Sequence, residues 1–149
     1  MKRLNRVFAS VVVGLSLTPV LAGAPKQTVV VVSGPTVIAF FPLVTPAELN
    51  NDPDTNEALA DFQFCAKTVR KPLHNMGVAF EEIYGPSFGV QVGARITTFR
   101  PGKVHVGYFF VAPNRKPRID CGVLTEVDLR QIASEYFGLS VKQLGSPPE

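Results

Sequence analysis

Thr36 to Pro42, Thr-Val-Ile-Ala-Phe-Phe-Pro, constrains this chain more than any other stretch. It is a short apolar run, opened by Gly34-Pro35 and closed by a proline. With no polar residue after Thr36 it has no solvent face, so it fits a strand covered on both sides. A helical pattern starts within about 15 residues of it, the spacing of an α/β unit. The run is expected to be the central strand of an α/β sheet.

The first residues read differently from the rest. Lys2, Arg3 and Arg6 precede an apolar stretch from Val7 to Leu17, and Val20-Leu21-Ala22 ends in small residues. This is the order of a secretory signal, and the apolar stretch is short for a membrane span. Residues 1–22 are therefore expected to be a signal peptide, with an uncleaved anchor as the other reading. A leader and outer strand over 23–35, a folded domain over 36–138 and a flexible tail over 139–149 complete the expected layout. The expected location is extracytoplasmic: secreted, or periplasmic in a double-membrane bacterium.

Removing residues 1–22 also changes the charge argument. Three of the 15 Lys and Arg leave with the signal, so 12 basic residues face 12 acidic ones and the formal charge is zero. The whole-chain pI near 9.0 is thus no sign of a nucleic-acid partner, which a surviving basic excess would mark. No apolar run after residue 22 reaches membrane length, so no stable span is expected after cleavage.

Between Thr45 and Thr55 the chain is polar and rich in proline, with Glu48, Asp52 and Asp54 followed by Glu57 and Asp61. A solvated loop and helix start are expected there, since metal ligands are usually spaced more tightly. Asp54 with Glu57 resembles a capping box, which would start the helix at that point. Leu59, Phe62, Ala66, Val69 and Leu73 then recur at spacings of three and four, forming one apolar stripe with Cys65 at its edge. Pro72 is expected to kink this helix, and Gly77 to cap it.

Val78 to Tyr84 reads as the next strand. Ser87 to Val111 reads as a hairpin turning at Arg100-Pro101-Gly102-Lys103, with Pro and Gly placed as a type II turn needs them. After a second turn over Pro113 to Pro117, Ile119, Cys121 and Val123 share one face of a strand. Thr125 with Asp128 caps a last helix, ended by Gly138.

This order of elements resembles the thioredoxin-like superfamily. The closest stretch is Tyr108-Phe109-Phe110-Val111, the turn Pro113-Asn114-Arg115-Lys116-Pro117, the strand Arg118 to Val123 and the helix Leu129 to Phe137. The resemblance implies a mixed sheet of four to five strands flanked by helices. It also implies a Cys-x-x-Cys where the first core strand meets its helix, and here Leu43 to Thr55 contains no cysteine. Pro101, the one candidate for the family's cis-proline, is better explained as a turn residue. The resemblance therefore points to a scaffold without the usual redox chemistry.

Two cysteines remain. In an exported chain Cys65 and Cys121 are expected to form a disulfide, worth about 4 kcal/mol for a loop of this size, with two buried thiols or a redox pair as the alternatives. His74 and His105 stand at no spacing that selects a catalytic partner for either cysteine, and Glu81-Glu82 reads as surface. No nucleophile elbow, phosphate loop or zinc spacing is present, so no catalytic residue, metal or cofactor is expected. The segment with a binding character runs from Arg95 to Arg118. It holds Arg95, Arg100, Lys103, Arg115, Lys116 and Arg118 and no acid, with Tyr108, Phe109 and Phe110 among them. It fits a protein partner with an acidic surface, although hairpin-tip cations also keep sheet edges soluble. The expected function is protein binding by a non-catalytic domain. A thiol-disulfide oxidoreductase using Cys65 and Cys121, or a structural envelope protein, is the alternative.

Overall fold

The computed structural model describes residues 27–42, 44–101 and 106–139. The expected signal peptide, Lys103 and almost all of the expected tail lie outside the described residues. In chain order the elements are β1 (Val29–Val32), β2 (Thr36–Phe41), α1 (Pro46–Asn51), α2 (Pro53–Asn75), β3 (Ala79–Tyr84), β4 (Phe88–Val92), β5 (Arg95–Phe99), β6 (Gly107–Val111), β7 (Arg118–Cys121) and α3 (Glu126–Phe137).

The described strands form two mixed sheets rather than one. A four-stranded sheet has the order β3-β2-β6-β7, and a three-stranded sheet has the order β1-β4-β5. In the larger sheet β2 runs parallel to β3 and antiparallel to β6. All six residues of β2 are buried, because both faces of the sheet are covered. Val37, Ala39 and Phe41 point to α2 and α3, whereas Ile38 and Phe40 point to the smaller sheet. The smaller sheet returns Val30, Val32, Phe88 and Val90 to that second core, where Phe99 packs 5.2 Å from Phe109 and 5.5 Å from Phe40 between ring centroids. The layers are helices, four strands, three strands.

The stripe on α2 buries Phe62, Cys65, Ala66, Val69 and Leu73, and the helix continues through Pro72 to Asn75. Gly77 then adopts φ 73, its amide donates to His74 O (3.0 Å), and the Val78 amide donates to Leu73 O (3.0 Å). This is a Schellman ending, closed by apolar contact between Leu73 and Val78. The helix begins at Pro53, with Asp52 as its N-cap, rather than at a box of Asp54 and Glu57. The capping box lies one helix earlier, where Thr45 and Glu48 start α1 inside the stretch expected to be a loop. Thr125 and Asp128 cap α3 as their spacing predicts, and Gly138 ends it in the left-handed conformation.

The expected hairpin over Ser87 to Val111 is corrected. β4 turns back on β5 at Gly93-Ala94, with Gly93 at φ 60 and Ala94 outside the positive-φ residues, the pattern of a type II′ turn. β6 leaves that hairpin altogether and pairs with β2 and β7. Phe88, Val90 and Val92 alternate toward the core, so β4 and β5 both fit the pleat.

Candidate functional site

Two clefts stand at opposite ends of the architecture. One, of ≈ 640 Å³, lies at the carboxyl end of β2, with Phe41, Pro42 and Ala58 as its apolar wall and Glu48, Asp52 and Asp54 on its rim. Local bonds occupy two of its carboxylates. Glu48 accepts from the Thr45 amide (2.7 Å) and the Thr45 hydroxyl (2.7 Å), and these bonds, the amide first, hold its carboxyl below the ordinary value. Asp52 accepts from the Thr55 hydroxyl (2.5 Å), which likewise lowers its pKa. These acids end and start helices, and among the described residues no group of three or more His, Cys, Asp or Glu is placed to hold a metal ion.

The other cleft, of ≈ 570 Å³, lies between the two sheets where β5 faces the β6–β7 turn. Val90, Val92, Phe109 and Val111 form its floor; Arg95, Arg115 and Lys116 stand around it, with Thr97 and Asn114 between them. Among the described residues no Asp or Glu lines it. Arg95 pairs across the hairpin with Val92, so its side chain turns inward toward the four-stranded sheet, as does that of Thr97 opposite Val90.

The β6–β7 turn is fixed in place. Asn114 takes φ 61, a conformation asparagine tolerates, and the Arg115 amide donates to Ala112 O (3.3 Å). The Tyr136 hydroxyl on α3 donates to Lys116 O (3.0 Å), and the Arg115 guanidinium lies 5.4 Å from the Tyr136 ring centroid. Neither Arg95 nor Lys116 has an ion pair or side-chain hydrogen bond with a described residue. Arg95 and Lys116, both lining this apolar floor without a described anion beside them, raise the local potential, which an incoming carboxylate would lower.

The fold thus brings together three of the six basic residues singled out in the sequence. Arg100 is exposed at the far end of β5. Arg118 lies opposite Phe110, on the helix face of the sheet, where Asp120 binds it twice (2.7 and 3.2 Å) and Glu135 stands 3.9 Å away. Its charge is compensated on the wrong side of the sheet to join the cleft. Thr97, Phe109 and Val111 lie within the segment singled out in the sequence, Phe109 by name; Val90 and Val92 do not, and the alternation of Phe88, Val90 and Val92 was the signal available for them.

The cysteines are not brought together either. Both are free, Cys65 buried and Cys121 exposed. Cys65 packs in the helix-side core with Tyr108, whereas Cys121 lies opposite Gly107, one residue out of phase with Tyr108, and so belongs to the other face of the sheet. The expected disulfide is not formed, and the intervening β6 separates the two positions as a redox pair. Burial pushes the Cys65 thiol pKa up, the reverse of what a nucleophilic thiolate needs.

Among the described residues no helix is long and apolar enough to cross a membrane. No family model, curated protein or solved structure matches this chain.

Proposed function

We propose that this chain is an exported, non-catalytic binding domain that takes up an acidic segment of another protein in the cleft between its two sheets. The observation that carries the reading is that Arg95, Arg115 and Lys116 line one cleft around an apolar floor, with no acid among its described lining residues. A cleft of this kind attracts a negatively charged partner at long range and holds it by apolar burial at short range. The thioredoxin-like scaffold is part of the proposal. Its support is the order β2-α2-β3-β6-β7-α3, with β2 and β3 parallel and β6 and β7 antiparallel within one sheet. The export signal supports a partner in the envelope or outside the cell.

A photo-crosslinking residue at Thr97 tests the reading in cells that make the protein. It is expected to capture a protein with an acidic stretch at the crosslink, and Arg95→Glu with Lys116→Glu is expected to abolish the capture. Equal capture from a control position on the far side, Lys67, would contradict it.

A further inference from the structure

The smaller sheet ends at β5, whose only ladder partner among the described residues is β4. Which backbone groups of β5 face outward follows from the register. Gly89 donates its amide to Thr28 O (2.8 Å) on the β1 side, so Gly89 and its partner Thr98 form a non-hydrogen-bonded pair. The same parity holds for Gln91 with Ile96. The amide and carbonyl groups of Ile96 and Thr98 therefore point away from β4, along an exposed edge.

A second observation lies across from that edge. On the inner face of β7, Ile119 is 44 % exposed and Cys121 is exposed, whereas Phe109, its neighbour on β6, is covered by Phe88 and Phe99. The larger sheet has one strand more than the smaller sheet covers. The cations of the cleft stand at the end of the same gap: Arg95 on β5 itself, Arg115 and Lys116 just before β7.

Resting on the reading of this cleft as the binding site, we infer that the partner binds as an extended strand added to the free edge of β5. Its backbone pairs with Ile96 and Thr98, and alternate acidic side chains turn inward to Arg95, Arg115 and Lys116. Strand addition satisfies the open edge and delivers carboxylates to the cations at the two-residue spacing of a pleat. The inward Arg95 has a complementary effect: unmatched, it discourages pairing with another copy's uncharged edge.

The test uses the purified protein and an end-blocked heptapeptide alternating glutamate with valine, prepared also in two N-methylated forms, each blocking every second amide in one of the two frames. Affinity is read by calorimetry, and hydrogen exchange at Ile96 and Thr98 by NMR. Strand addition predicts that one N-methylated frame weakens binding about tenfold or more while the other binds like the parent, because only one row of amides meets β5. It also predicts slowed exchange at Ile96 and Thr98 with the parent peptide. Equal affinity of both frames, with binding lost in Arg95→Glu, would overturn strand addition and leave the cleft reading standing. Failure of the parent peptide to bind, or binding indifferent to Arg95→Glu, would overturn both.

Discussion

The ring of Phe40 occupies the space that a β-carbon at Gly107 would need. Such an atom would lie 2.7 Å from Phe40 Cζ, 2.6 Å from Asp120 O and 3.2 Å from Cys121 Cα. Two of these three neighbours are backbone atoms of β7, so the contact cannot be relieved by a side-chain rotation. Gly107 thus lets β7 close on β6 while Phe40 fills the core between the sheets. Gly107→Ala is expected to destabilise the protein by about 3 kcal/mol, the upper part of the range for overpacking. A urea titration checks this, and an unchanged midpoint would mean that β6 and β7 are spaced more widely than described here.

Tyr108 and Cys65 make a contrasting pair on the other face. The Tyr108 hydroxyl is buried without a hydrogen-bond partner among the described residues, and burial pushes its pKa well up. The Cys65 thiol beside it is a weak partner at best. Removing a buried, unpaired hydroxyl removes a desolvation cost, so Tyr108→Phe is expected to leave stability unchanged or raise it by about 1 kcal/mol. A loss of more than about 1 kcal/mol in the same titration would show that the hydroxyl is bonded.

Thiol chemistry separates the two cysteines. Cys121 is exposed and Cys65 buried, so a maleimide is expected to label one thiol in the folded protein and two in denaturant without reductant. Mass spectrometry reads the count. Labelling of neither thiol in denaturant would mean a Cys65–Cys121 bridge and would contradict the free thiols of the structure.

The capping box of α1 gives a pH signature. The folded-state pKa of Glu48 is below its ordinary value of 4.5, so its contribution is full above that pH and is lost as pH falls through the depressed value. The main cause is the Thr45 amide and the lesser one the Thr45 hydroxyl. In Thr45→Ala the Glu48 titration is therefore expected to move only part of the way back to 4.5, since the amide remains. Carboxyl NMR shifts measure this; an unmoved pKa would mean that the hydroxyl bond is absent in solution.

Much of this architecture was legible from local pattern. The unbroken run of β2, the three- and four-residue stripe of α2, Gly77 and the Thr125–Asp128 box are decided by neighbours in sequence, and they fold as they read. The misplaced hairpin has a local cause. Arg100-Pro101-Gly102-Lys103 carried a stronger turn signal than Gly93-Ala94, so one long hairpin was expected where the chain makes a short one and then crosses to the other sheet. Pairing between β2 and β6, and the stacking of one sheet on the other, depend on burying the second faces of Ile38, Phe40 and Phe109, which no local window reports. The same holds for the site. A basic segment was visible, but only the packing of β5 over the β6–β7 turn decides that Arg95 joins Arg115 and Lys116, while Arg118 turns to Asp120.

The claim on which the rest depends is that those converging cations recognise acidic chains. Calorimetric titration with the alternating glutamate–valine heptapeptide, at about 50 mM and about 200 mM salt, tests it most directly. Binding is expected to be measurable, to weaken several-fold with salt and to be lost in Arg95→Glu/Lys116→Glu, with the fold of that variant intact by circular dichroism. Equal affinity for the variant, or binding indifferent to salt, would contradict it.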